Sequence, residues 1–241
     1  VSAFTYRHQL PALAAAGYRA IAVDLKGHGF SDKPAGGGEY SFEAMFRHVQ
    51  EVLETAATTP VVLVAQSMAG ALAIELVIRR RDLVSAVLLV SPVGLGVIPF
   101  IRLARLVAQP FLDPIAPFLV RRSVVRAGLA MAYGEPRKVT EDAVDEYWAP
   151  AQFPGFSRAL RALIHDFRWA PIPPERLARV DRPALVVLGS RDRLVRGAPR
   201  LARRIPGATI TVVAGAGHAV NEEQPEAVNK AILAFLREHA V

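Results

Sequence analysis

Three polar residues stand just beyond apolar runs, in the order serine, aspartate, histidine. Ser67 follows the run 61–65 in "VVLVAQSMAGALAIEL" and precedes an amphipathic helical pattern. Ala65 and Ala69 flank it at two residues on either side, and Gly70 comes next. A strand, a sharp turn, a serine and then a helix form the geometry of a nucleophile elbow, where the strained backbone demands small neighbours. The helix N-terminus would aim backbone N–H groups at developing negative charge. Asp192 lies just past the run in "ALVVLGSRDRLV", and His218 lies in the Gly-rich loop of "ITVVAGAGHAVNEEQPEAV". Taken singly, each has a plainer reading: a helix cap for Ser67, a turn residue for Asp192, an incidental loop histidine for His218.

The elements that must position these residues are legible as periodicity. Five short apolar runs read as buried parallel strands: 20–25, 61–65, 86–90, 184–188 and 209–213. Helical patterns cover 6–16, 42–56, 68–80, 197–204 and 225–239. Alternating strands and helices predict an α/β fold, a mostly parallel sheet with helices on both faces. In open α/β sheets, sites form at the C-terminal ends of the strands. All three residues sit there, as does the turn in "VDLKGHGFSD", residues 23–32. Between residues 94 and 174 the alternation breaks into short helical patterns. This divides the chain into a core, 1–93 and 175–241, and a helical lid, 94–174. The apolar faces of 98–108 and 117–131 could cover a pocket, lie against a membrane or lipid, or pack on the body.

Composition narrows the classes. The 241 residues contain no cysteine, which excludes disulfides, thiolate metal sites and cysteine nucleophiles. The net charge of +7 comes mainly from scattered arginines, which points to a solvated surface and no nucleic-acid partner. The longest uncharged run, 83–101, contains Pro92, Gly94, Gly96 and Pro99, so it reads as a strand leaving into a loop and not as a membrane span. No secretory signal opens the sequence, and a cytoplasmic location is expected. Oligomeric state is not legible.

In this order the motifs resemble the α/β-hydrolase superfamily, in its lidded branch of serine hydrolases. The family's Gly-x-Ser-x-Gly stands here as Ala65-Gln66-Ser67-Met68-Ala69, and its Asp-x-x-Gly-x-Gly as residues 24–29. Its Gly-x-x-Asp stands as residues 189–192, and its Gly-His with Glu-x-Pro as Gly217-His218 and Glu223-Gln224-Pro225. Both elbow glycines are alanines, which are small enough. A larger departure lies at the front. Family members begin with strands that end in a His-Gly loop supplying one oxyanion donor. "VSAFTYRHQLPALAAAGY" resembles the helix after that loop. The sequence therefore reads as N-terminally truncated; the alternative is a short variant in which runs 20–25 and 61–65 pair directly.

The resemblance implies a Ser67–His218–Asp192 triad, an oxyanion donor at the Met68 N–H, and an acyl-enzyme released by water. It calls for no metal or cofactor. The expected partner is a small to medium apolar acyl substrate, with carboxylic ester hydrolysis favoured. Gln66, Tyr133, Tyr147 and Trp148 are the candidate substrate-binding residues, and Phe100, Phe111, Phe118 and Phe153 could line the same pocket. C–C bond hydrolase, lactonase, aminopeptidase and perhydrolase activities share the triad. A serine at the elbow argues against the dehalogenase and epoxide hydrolase relatives, whose nucleophile is a carboxylate. A non-catalytic ligand-binding member or an inactive fragment is the reading of another class.

Overall fold

In the computed structural model, which describes residues 2–56 and 60–239, the chain builds a four-stranded parallel sheet wrapped by helices. A short 3₁₀ turn, Ala3–Tyr6, leads into α1 (Gln9–Ala15) and, after a long loop, α2 (Phe42–Ala56). The sheet then alternates with helices: β1 (Val61–Gln66), α3 (Met68–Arg79) and β2 (Val84–Val90). Six helices follow: α4 (Ile101–Val107), α5 (Ala116–Leu119), α6 (Arg122–Ala132), α7 (Glu141–Trp148), α8 (Phe156–Asp166) and α9 (Pro174–Leu177). The sheet resumes with β3 (Ala184–Gly189), α10 (Ala198–Ala202), β4 (Thr209–Val213), α11 (Val220–Glu223) and α12 (Pro225–Glu238). Spatial order equals chain order, β1-β2-β3-β4, and every pairing is parallel.

The strands divide their side chains between two cores, as the period of two requires. Val87 and Leu89 of β2 and Val186 and Leu188 of β3 join α2 and α3 on one face. Ala86, Leu88, Val90, Leu185 and Val187 join α12 on the other. Covering on both faces is what makes these strands read as unbroken apolar runs. Helix α3 is buried almost all round, and its one acid, Glu75, is neutralised by a two-point ion pair with Arg176 at 2.9 and 2.5 Å.

One expected strand does not form. Residues 20–25 have no strand structure, so the sheet has four strands among the described residues and not five. The run carries the apolar pattern but no neighbouring chain against which to build a ladder. Ile21 and Val23 remain 55% and 40% exposed. It does not pair directly with β1 either. A cleft of about 580 Å³ lies there, lined on one side by residues 18–25 and on the other by residues 60–69. The amphipathic pattern at 117–131 is also interrupted, ending α5 at Leu119 and starting α6 at Arg122.

Candidate active site

Ser67 sits between β1 and α3 with φ 54° and ψ −121°, a conformation that L-residues rarely adopt. Three backbone hydrogen bonds hold it there. Its N–H donates to the Val90 carbonyl at 3.0 Å, and its own carbonyl accepts from Gly70 at 2.9 Å and Val93 at 2.8 Å. The β1–β2 ladder and the first turn of α3 therefore fix the strained residue from both directions. A side chain at Gly70 would collide with Pro92, so close helix–loop packing also requires that glycine. The Met68 N–H opens α3, where no intrahelical acceptor exists.

His218 meets Ser67 from the loop after β4. Its Nε2 lies 2.8 Å from Ser67 Oγ, and its Nδ1 lies 2.9 Å from Asp192 Oδ2. The other carboxylate oxygen of Asp192 accepts from the N–H groups of Leu194 at 2.8 Å and Val195 at 3.0 Å. Burial opposes ionisation of Asp192, but His218 and these two N–H groups outweigh it and hold the carboxyl below its ordinary range. The structure thus joins the three sequence candidates in one hydrogen-bonded line, each at the C-terminal end of a strand.

The histidine loop is braced against the helical insertion. The Ala132 carbonyl, at the end of α6, accepts from His218 N at 2.6 Å and Ala219 N at 3.2 Å. The buried Glu223 carboxylate accepts from Gly217 N at 2.7 Å, Gly134 N at 2.9 Å and Glu135 N at 2.7 Å. One carboxylate therefore ties the loop before His218 to the insertion. A side chain at Gly217 would strike the Ala132–Gly134 backbone, so the two segments meet main chain to main chain.

The remaining candidates take other places. Tyr147 Oη donates to Glu222 Oε1 at 2.7 Å, and Tyr133 Oη approaches Glu222 Oε2 at 3.4 Å. Burial and the Glu222 charge push the Tyr133 phenol up to about 12. Thr5 and Arg7 complete this buried cluster, at 2.9 and 2.6 Å from Glu222. Trp148 Nε1 donates to the Val120 carbonyl at 3.2 Å. None of these three aromatics lines the cleft that reaches Ser67, whereas Gln66 does. Phe111 and Phe118 are 77% and 74% exposed and do not line that cleft, which corrects that expectation.

The sequence reading missed Glu222 and Glu223 as structural acids. Two adjacent carboxylates just after a Gly-rich loop look solvated until α11, which carries them, is seen folded under the insertion. It also missed Tyr6, whose hydroxyl bridges Val64 O at 3.2 Å and Gln66 N at 3.0 Å on the outer edge of β1. His28 was missed as well. It lines the same cleft as Ser67, and burial lowers its pKa to about 4.

Known proteins share this architecture. The chain is 26% identical over 238 residues to an uncharacterized hydrolase, YugF, of Bacillus subtilis (strain 168), covering 98% of this chain and 86% of the relative. It is 25% identical to a haloalkane dehalogenase of Psychrobacter cryohalolentis, covering 98% of this chain and 80% of the relative. Among solved structures, a serine hydrolase involved in carbazole degradation superposes with a TM-score of 0.81 at 23% identity, covering 98% of this chain and 86% of that one. An esterase from Thermogutta terrifontis superposes at 0.80 with 22% identity, covering 100% and 87%. The model of the alpha/beta hydrolase family matches residues 1–231, which carry the elbow, the acid loop and the histidine loop alike, and the chain belongs to that family.

Proposed function

We propose that the protein is a serine hydrolase that cleaves a carboxylic ester of a small to medium apolar substrate through an acyl-enzyme. The observation that carries this reading is the continuous line Ser67 Oγ–His218 Nε2, His218 Nδ1–Asp192 Oδ2, with Ser67 held at positive φ. His218 takes the Ser67 proton as Oγ attacks the ester carbonyl carbon. Asp192 holds the imidazole tautomer and stabilises its charged form. The Met68 N–H donates to the oxyanion. Collapse expels the alcohol, which takes its proton from His218. Water, deprotonated by His218, then attacks the acyl-enzyme and releases the acid. Residues 94–174 act as the lid over this site, and the apolar character of most residues lining the adjoining cleft supports an apolar substrate.

C–C bond hydrolysis is the second reading. It is favoured by likeness to a meta-cleavage product hydrolase, at a TM-score of 0.80 and 23% identity. Dehalogenation does not carry over from the relative named above, because Ser67 stands where an alkyl-ester intermediate needs a carboxylate. A fluorophosphonate probe and a panel of short-chain aryl esters test the proposal. Ser67→Ala is expected to abolish labelling and to lower ester turnover by about 10⁴-fold or more. Labelling that survives the substitution, or turnover that does not fall, overturns the assignment.

A further inference from the structure

The helical insertion carries an outer face that no other element covers among the described residues. Helices α4 and α5 both pack on α8, Ile101 packs on the core, and polar contacts also pin the segment down. Arg105 Nε donates to the Ile164 carbonyl at 3.0 Å, and His165 Nε2 lies 2.7 Å from Ala108 O. Arg161 and Asp113 form a two-point ion pair at 2.8 Å. The large apolar side chains turn the other way. Leu103, Leu106 and Val107 share one face of α4 at 62%, 71% and 60% exposure, and Phe111, Phe118 and Leu119 follow along the chain at 77%, 74% and 56%. This inverts a normal surface helix, whose apolar stripe faces the core. Exposed large apolar side chains gathered in one segment mark an interaction site.

The charge beside the patch selects the partner. Arg102 and Arg121 flank this segment in the chain and are exposed, and neither has a carboxylate partner among the described residues. Asp113 is the only acid between residues 99 and 122, and Arg161 neutralises it. A two-fold contact with a second copy would place the same arginine-bearing face on both sides, between chains that each carry +7. An anionic lipid surface satisfies both features. Phe and Leu side chains enter the acyl boundary while guanidinium groups meet headgroup phosphates. We propose that this face of the insertion docks the protein on an anionic membrane interface. The proposed contact is through this face alone; no helix among the described residues is long and apolar enough to cross a membrane. The proposal does not depend on the bond that Ser67 cleaves.

Co-sedimentation of the 241-residue chain with large unilamellar vesicles tests it. The vesicles are phosphatidylcholine alone or with phosphatidylglycerol, each at low and high salt. Binding is expected to require phosphatidylglycerol and to weaken with salt. Arg102→Gln with Arg121→Gln should lower affinity by about 5-fold per arginine. Phe111→Glu with Phe118→Glu should lower it by about tenfold or more. These side chains are exposed, so both variants should keep the wild-type circular dichroism melt. Should the phenylalanine variant unfold, the arginine pair and the salt titration decide alone. Absence of binding, or binding equal on neutral vesicles, overturns the proposal. So does light scattering that shows a dimer dissolved by the same substitutions, because a second copy would then cover the patch.

Discussion

The two flanks of β1 are unlike. On one side β1 pairs in parallel with β2, from Val62 beside Ala86 to Gln66 beside Val90, after a register shift between Val61 and Val62. On the other lies the cleft, with residues 20–25 beyond it. Both flanks carry apolar runs of similar length, and both end in loops at the same edge of the sheet. Only the paired flank became sheet. An apolar run reports a tendency to be buried; a strand also needs a neighbour for its N–H and C=O groups. The chemistry follows the same division. Ser67, Asp192 and His218 emerge from β1, β3 and β4, whereas the cleft flank contributes walls.

Core substitution should show the largest difference. Leu88 in β2 is wholly buried in the face covered by α12. Leu88→Ala is expected to cost about 2–5 kcal/mol. Val23, an equally apolar residue in the run across the cleft, is 40% exposed. Val23→Ala should cost under about 0.5 kcal/mol. Urea unfolding of both variants measures this. Equal costs would mean that the 20–25 run is packed as tightly as the sheet.

The next effect belongs to the paired flank's loop. Glu223 satisfies three backbone donors at once, and glutamine would turn one acceptor oxygen into a donor facing N–H groups. Glu223→Gln should cost about 1–3 kcal/mol. It should also lower kcat more than it raises KM, since it loosens the loop that aims His218. A variant with native stability and native kcat would remove Glu223 from any positioning role.

These contrasts explain what the sequence could and could not disclose. Four of the strands, the helices between them and the order serine, aspartate, histidine were legible. Each rests on local pattern: apolar runs at 61–65 and 184–188, small residues around Ser67, glycines before His218. Run 20–25 failed because pairing is a property of two segments. Tyr133 and Tyr147 could not be placed because their partner, Glu222, lies 89 and 75 residues away in the chain. Nothing local distinguishes an aromatic facing substrate from one donating to a buried acid.

Acid should act on the cleft flank first. His28 is held neutral by burial, with a pKa of about 4 against about 6.5 when unfolded. Between those values the unfolded chain binds a proton that the folded chain refuses. Stability from this group is therefore complete above about pH 6.5 and declines as pH falls toward 4. Asp192, with its folded pKa depressed, adds a loss only lower, as pH falls below the ordinary carboxylate range. Melting temperature should drop between pH 7 and pH 5 in the wild type and drop less in His28→Gln. Equal drops would assign the acid sensitivity elsewhere.

The smallest effect is local and reads the asymmetry of β1 residue by residue. In a parallel strand, both backbone groups of a residue point to the same side, and the side alternates along the chain. Val61 and Ser67 donate to the β2 side, at 2.9 Å to Leu83 O and 3.0 Å to Val90 O. Leu63 and Ala65 share that parity. Val62, Val64 and Gln66 therefore face the cleft, where no second strand pairs with β1 among the described residues. Gln66 N–H is rescued by the Tyr6 hydroxyl, which in turn donates to Val64 O. Amide hydrogen exchange should thus alternate, slow at residues 63, 65 and 67 and fast at 62 and 64, with Gln66 in the slow class. Tyr6→Phe removes a single oxygen and should move Gln66 alone into the fast class, at a stability cost of about 1 kcal/mol. The cost stays small because water in the cleft can reach the freed groups. Uniform protection along β1 in solution would mean that its outer edge is hydrogen-bonded after all, and the two flanks would then differ in packing and not in pairing.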